Sequence, residues 1–206
     1  YWRLPSPPEF DETSPEWVAQ GVAASSGLDR ATTAADTSAA LDALRDAPEV
    51  TGPAAFVGFC FGGGVAFEVS ATNPPAALVA YYGSSLPHLL HLAPRVACPS
   101  LHHFGTADAW IPMDVVAQIR DAVPAGRDDV EFELYDGANH AFDNPHPLFH
   151  HPEASALAWE RTLAFLARHL GPHQAGPAGS ADSADSADST DSTDSTDSAD
   201  SADSAG

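Results

Sequence analysis

The chain has 206 residues, 44 % hydrophobic and 18 % charged, which suits one globular domain with a sizeable core and a polar appendage. Its formal net charge is −21, from 29 acidic residues against eight basic ones, all of them arginine, and this argues against nucleic acid or anionic membrane as partners, because both reward clustered Lys and Arg. A membrane span and a signal peptide are not expected, since there is no run of eighteen apolar residues and no basic-then-apolar leader.

The opening residue is Tyr1 rather than Met, which is read as a processed or truncated start. Residues 1–16 are rich in Pro and lead through Trp2 and Arg3 to Trp17, and they predict an irregular surface segment. Residues 33–44 are rich in Ala, with Leu41 and Leu44 three apart and Asp36 near the start, and predict a helix. Pro48 and Gly52-Pro53 end it and introduce an apolar strand over 53–57. Next comes Gly-Phe-Cys-Phe-Gly-Gly at 58–63, followed by a run over 64–69 that can start a helix. A G-x-C-x-G pattern at a strand-to-helix turn fits a nucleophile elbow with Cys60 in place of serine, the flanking glycines permitting strained, closely packed backbone. The alternative is a buried cysteine in a Gly-rich turn.

Asn73-Pro74-Pro75 forces a break, and residues 76–82 form a near-continuous apolar run of the kind found in strands buried on both faces. Residues 83–94 read as a loop and 100–104 as the next strand, with Gly105-Thr106-Ala107-Asp108 placing a carboxylate just past its end. A helix is predicted over 113–123 and a strand over 130–135, beyond which Gly137-Ala138-Asn139-His140 puts a histidine in a loop. The last helix spans 153–170, with Leu157, Arg161, Phe165 and His169 four apart along one side. Strands alternating with helices at this spacing predict an α/β domain over 1–170, with a mainly parallel sheet and helices on both faces. Ligands bind such sheets beyond the carboxyl ends of the strands, and Cys60, Asp108 and His140 each follow a strand at that edge.

From Gly171 the character changes to Ser-Ala-Asp and Ser-Thr-Asp repeats. Eight aspartates and nothing apolar larger than Ala cannot bury enough surface to offset the entropy of ordering, so 171–206 is expected to be a disordered tail. Without those eight charges the net is −13, and the folded part is itself acidic.

A cysteine attacks as its thiolate and needs a base or a cation beside it. His140 fits that role, with Asp108 orienting the imidazole, and the order nucleophile, acid, histidine is that of α/β-hydrolases. The backbone N–H of Phe61 would donate to an oxyanion. Trp110 either lines a substrate pocket or packs its loop. His102, His103, His146, His150 and His151 lack the spacing of a zinc site, and no metal is expected. Cys98 reads as a core or rim residue. Two cysteines are too few for a disulfide framework and are expected as free thiols in a reducing cytoplasm.

The elbow, Tyr81-Tyr82-Gly83, Gly105-Thr106-Ala107-Asp108, the Tyr-Asp-Gly-Ala-Asn-His-Ala-Phe segment at 135–142 and the Trp-Glu-Arg-Thr-Leu core at 159–163 together resemble the dienelactone hydrolase family. The resemblance implies a cofactor-free hydrolase that opens a small-molecule lactone or ester through a cysteine acyl-enzyme; separately, a monomer or weak homo-oligomer is expected. It implies Cys60 as nucleophile, Asp108 and His140 as its triad partners, Phe61 as oxyanion donor and Arg3 as a substrate-carboxylate ligand. Members of the family carry further strands and a glutamate before the segment matching Tyr1, and an arginine where this chain has Asn144. The 1–170 domain is therefore expected to be incomplete at its amino-terminal side, with an exposed sheet edge prone to association. Competing expectations are a non-catalytic fragment of the same scaffold and a thiol-redox protein using Cys60, the latter disfavoured by the lack of a C-x-x-C motif.

Overall fold

Apolar runs bounded by Gly and Pro become strands, and the segments between and after them become helices that cover both faces of the resulting sheet. The structure is a computed structural model and describes residues 9–123 and 126–171. Arg3 and the repeats beyond Gly171 lie outside the described residues.

The strands are β1 (Ala55–Phe59), β2 (Ala77–Tyr81), β3 (Ser100–Gly105) and β4 (Val130–Tyr135). They form a four-stranded sheet in the order β1-β2-β3-β4, with every adjacent pair parallel, and one line of the register runs from Val57 through Val79 and Leu101 to Glu131. β2 and β3 are buried along their whole length, β2 as its near-continuous apolar run predicts. Among the described residues β1 is an edge strand, with Val57 and Phe59 exposed by 38 % and 41 %.

The helices are α1 (Trp17–Ser26), α2 (Arg30–Asp46), α3 (Phe61–Ser70), α4 (Met113–Ala122) and α5 (Pro152–Leu170), and Leu86–Arg95 is a 3-10 segment. Side chains alternate across the strands and build a core on each face of the sheet. On one face Leu78 and Phe104 meet Phe67 of α3, Leu86 and Leu89 of the 3-10 segment, and Val116 and Ile119 of α4. On the other, Val79, Tyr81, Leu101 and Tyr135 meet Phe142 and the Ala154, Ala158 and Phe165 side of α5. The helices thus cover both faces. No helix of the described residues is long and apolar enough to cross a membrane.

Four details depart from the sequence expectations. Residues 83–94, expected as a loop, hold most of the 3-10 segment, because Leu86, Leu89 and Leu92 recur every three residues and all become buried at three residues per turn. The helix expected from residue 33 starts at Arg30, and its cap is Asp29, whose carboxylate accepts from the Thr32 N–H at 2.8 Å, rather than Asp36. α1 was not foreseen, since none of its residues is buried and it carries little amphipathic signal. It is held through Trp17, whose ring packs on His146 at 4.9 Å and Phe149 at 5.8 Å. On α5, Leu157 is 40 % exposed, and the buried line is Ala154, Ala158, Thr162 and Phe165.

The face under α5 carries a buried polar network. Thr162 Oγ1 lies 2.7 Å from Tyr81 Oη and 3.0 Å from His103 Nε2, and His103 Nδ1 lies 2.8 Å from Tyr135 Oη. Burial holds the His103 imidazole neutral, pushed down to about 3. Thr162→Val keeps the shape of the side chain but strands two buried polar groups, which is expected to lower stability by about 1–3 kcal/mol. Urea unfolding should show a lower midpoint with an unchanged slope.

Candidate active site

Cys60 stands at the carboxyl end of β1, immediately before α3, with φ 49° and ψ −114°. That is a conformation an L-residue adopts only under constraint. Its N–H donates to the Tyr81 carbonyl at 3.0 Å, and its carbonyl accepts from Gly63, Gly64 and Ser84 at 3.1, 3.4 and 3.1 Å. A Cβ on Gly58 would lie 2.5 Å from the Gly62 carbonyl oxygen, and one on Gly63 would lie 3.0 Å from the Gly83 Cα. Gly62, in contrast, has open space around its missing side chain, so the steric requirement falls on Gly58 and Gly63.

The loops after β3 and β4 supply the other two side chains and are stitched to each other. A Cβ on Gly105 would strike the Ala138 carbonyl oxygen at 2.1 Å, and the Ala107 N–H donates to that same oxygen at 3.0 Å. Thr106 Oγ1 accepts from the Gly137 N–H at 2.9 Å, and Asn139 Oδ1 accepts from the N–H groups of Ala109 at 3.2 Å and His140 at 2.7 Å. Gly137 takes φ 70°, which glycine adopts without strain, while Ala141 is held at φ 59° just after the histidine.

These loops bring Asp108, His140 and Cys60 into one line. His140 Nδ1–H donates to Asp108 Oδ2 at 2.8 Å, and His140 Nε2 lies 3.1 Å from Cys60 Sγ. The second carboxylate oxygen of Asp108 accepts from the backbone N–H groups of Trp110 and Ile111 at 2.8 and 2.9 Å, which fixes the carboxylate. Asp108 and His140 are buried, while Cys60 is half-buried. Burial by itself pushes the Cys60 thiol up, but the hydrogen bond and charge of His140, with hydrogen bonds from Ser84 and the Phe61 N–H, outweigh it and bring it below its ordinary value. Burial likewise disfavours a charged His140, yet Asp108 and Cys60 together push it up to about 9. Both shifts favour a thiolate beside an imidazolium at neutral pH.

Phe61 is the first residue of α3, with its N–H at the nucleophile. Trp110 is half exposed, and its ring stacks on His140 with centroids 4.4 Å apart and planes 27° apart. Cys98 is a buried free thiol remote from this line, pushed up by burial. Of the clustered histidines, His102 and His103 are hydrogen-bonded inside the sheet, His146 packs on Trp17, and His151 caps α5 by accepting from the Ala154 N–H. Among the described residues no group of three or more His, Cys, Asp or Glu could hold a metal ion. A cavity of about 530 Å³ opens elsewhere, between α2, α3 and the 3-10 segment, lined by Arg30, Glu68, His88, Leu92 and Arg95, and it contains none of the three aligned residues.

Sequence reasoning passed over Ser84, Tyr82 and Asn139. Tyr82 packs against His140 with ring centroids 5.1 Å apart and has φ 38°. The signal was available, because Tyr82-Gly83-Ser84 follows β2 at the same sheet edge as the other site loops.

A nucleophile-type elbow after one strand, with acid and histidine on loops after two later parallel strands, defines an α/β-hydrolase-like protein. The dienelactone hydrolase family model matches residues 13–170, and the chain belongs to that family. It is 34 % identical over 132 residues to a carboxymethylenebutenolidase of Pseudomonas putida, covering 64 % of this chain and 56 % of that protein. It is 30 % identical over 168 residues to a carboxymethylenebutenolidase of a Pseudomonas species, covering 82 % and 70 %. Among solved structures it resembles a dienelactone hydrolase-like promiscuous phosphotriesterase from metagenomic libraries, with a TM-score of 0.63 and 28 % identity over 79 % of this chain and 70 % of that one. The chain spans about half the length of several curated relatives that it matches, 47 % and 56 % in two of them.

The two thiols should separate chemically. At about pH 7, iodoacetamide is expected to label Cys60 at least tenfold faster than buried Cys98, and His140→Ala should remove most of that advantage. Peptide mass spectrometry after short exposures reads both rates.

Proposed function

We propose that the chain is a cysteine-dependent hydrolase that opens a lactone or a related carboxylic ester through an acyl-enzyme. The observation that carries this reading is the continuous line from Asp108 through His140 to Cys60, with contacts of 2.8 and 3.1 Å, seated on a strained elbow. Membership of the dienelactone hydrolase family and the names of its relatives support the same chemistry.

In this mechanism the Cys60 thiolate attacks the ester carbonyl carbon, and the carbonyl π electrons move to oxygen. The Phe61 N–H donates to that oxyanion. On collapse the carbon–oxygen bond to the leaving alkoxide or enolate breaks, and His140 Nε2–H gives it a proton. For a lactone the leaving group stays tethered to the acyl chain. Neutral His140 then takes a proton from water, the hydroxide attacks the thioester, and the thiolate departs beside the restored imidazolium. Asp108 holds Nδ1–H throughout, which fixes the tautomer and stabilises the cation. No cofactor enters these steps. Arg3 is assigned to a substrate carboxylate, since a planar guanidinium suits that group. Asn144 offers no positive charge where family members have an arginine, so a substrate less dependent on a second carboxylate contact is expected.

Cys60→Ala and His140→Ala should each abolish ester turnover, by on the order of 10⁴-fold or more, while leaving circular dichroism unchanged. Asp108→Asn should leave a small residue of activity, because an amide can hold the wrong imidazole tautomer. Stopped-flow with a chromogenic ester and an unsaturated lactone tests the pathway: a burst of about one equivalent that vanishes with Cys60 is expected. Undiminished turnover in Cys60→Ala would overturn the mechanism.

A further inference from the structure

The imidazole of His140 is enclosed on all sides by identifiable groups. One edge faces Asp108 and the other faces Cys60, and these are the charged or chargeable groups of the elbow and the loop after β3. From the end of β2 comes the Tyr82 ring, tilted by 58° and accompanied by Asp143, which lies near the Tyr82 hydroxyl. Its own loop contributes Asn139, which is neutral and binds the His140 backbone N–H. Among these neighbours Trp110 is the ring that lies nearly parallel to the imidazole, at 4.4 Å and 27°. Its backbone N–H donates to Asp108 Oδ1 at 2.8 Å, so the carboxylate that holds Nδ1 also anchors the residue covering the ring face.

An indole has the strongest negative face of the aromatic side chains, and it attracts a cation more than the corresponding neutral group. A half-exposed tryptophan is therefore placed where it favours the protonated form of His140 and screens one face of it from water. We propose that Trp110 is a positioning residue that keeps His140 in its imidazolium form through its π face, and so sustains the resting thiolate–imidazolium pair. This rests on the hydrolase reading for its consequence in turnover, but the interaction itself exists in the free protein. The upward displacement of His140 is consistent with it, although Asp108 and Cys60 are its principal causes.

The signature is specific. Removing the indole face destabilises the imidazolium whether or not Cys60 is ionised. Thiol ionisation beside an existing imidazolium therefore stays where it is, while loss of the imidazolium proton moves to lower pH. Trp110→Leu keeps His140 covered by an apolar side chain but removes the quadrupole, and Trp110→Phe restores a weaker one.

The test is an imidazole NMR titration of His140 in the free 206-residue chain, assigned by the missing signal in His140→Ala. In Trp110→Leu the imidazolium midpoint should fall by about 0.5 to 1 pH unit, and in Trp110→Phe by less than half as much. The alkaline limb of kcat/KM should fall by the same amount, with the acid limb unmoved. If the Leu variant does not fold, the smaller fall in the Phe variant is the expected result. An unmoved midpoint, even with a raised KM, would overturn the proposal and leave Trp110 as a wall of the substrate pocket. The titration needs no turnover, so absence of hydrolysis in the native chain would count against the hydrolase reading alone.

Discussion

The backbone of Cys60 is the constraint on which the rest of the site depends. A residue at φ 49° and ψ −114° carries strain on the order of 1–3 kcal/mol, and it stays there only when its surroundings over-determine it. The Cys60 carbonyl gathers three N–H donors, its own N–H is held by β2, and the missing side chain of Gly58 lets the elbow fold back on its strand. The three glycines at 62–64, poor helix formers in isolation, therefore open α3. Gly63 packs on Gly83, and a Cβ on Gly64 would lie 2.0 Å from the Ser85 hydroxyl oxygen, so two of them are there for proximity rather than for helix stability.

Electrostatics at the site follow from that placement. A half-buried thiol would ordinarily be harder to ionise, and a buried imidazole harder to protonate, so each group alone would be neutral. Together, with Asp108 fixed by two backbone N–H groups, they exchange one proton and each charge compensates the other. The loops that carry Asp108 and His140 are joined by Asn139, Thr106 and the close approach of Gly105 to Ala138, contacts that do not involve the elbow. Geometry between the acid and the histidine is thereby insulated from small shifts of the strand that bears the nucleophile.

Much of this was legible in the residues because the strongest signals are local. A G-x-C-x-G between a strand-length apolar run and a helix start specifies an elbow, and a carboxylate and a histidine just past later strands fall at one sheet edge by the geometry of parallel sheets. The strands at 76–82, 100–104 and 130–135 emerge within one or two residues of expectation: a near-continuous apolar run marks the first, and alternation of Val, Phe and Leu with Glu marks the last. What escaped was non-local or low in contrast. The 3-10 segment hides behind two prolines, with a three-residue leucine period that resembles neither strand nor α-helix. α1 buries no residue and so leaves no stripe. Ser84, Tyr82 and Asn139 act through contacts that only the folded loops create: position after a strand marks their loops as belonging to the site edge, but not which side chains reach the site. On α5 a regular four-residue spacing picked a line through Leu157, whereas the sheet selects the neighbouring line of small residues that lets the helix approach.

The polar network beneath α5 bears on how this scaffold can change. Thr162, Tyr81, His103 and Tyr135 satisfy one another across three strands and a helix, in a layer that is otherwise apolar. Such a network fixes the rotation of α5 about its own axis, because a turn of one residue would carry Thr162 away, present Arg161 or Leu163 instead, and strand His103 Nε2 and Tyr81 Oη. The four positions therefore form one unit of substitution. An apolar residue at 162 fits this layer only together with Phe at 81 and an apolar residue at 103, whereas the surrounding leucines and alanines can be exchanged singly for others of similar volume.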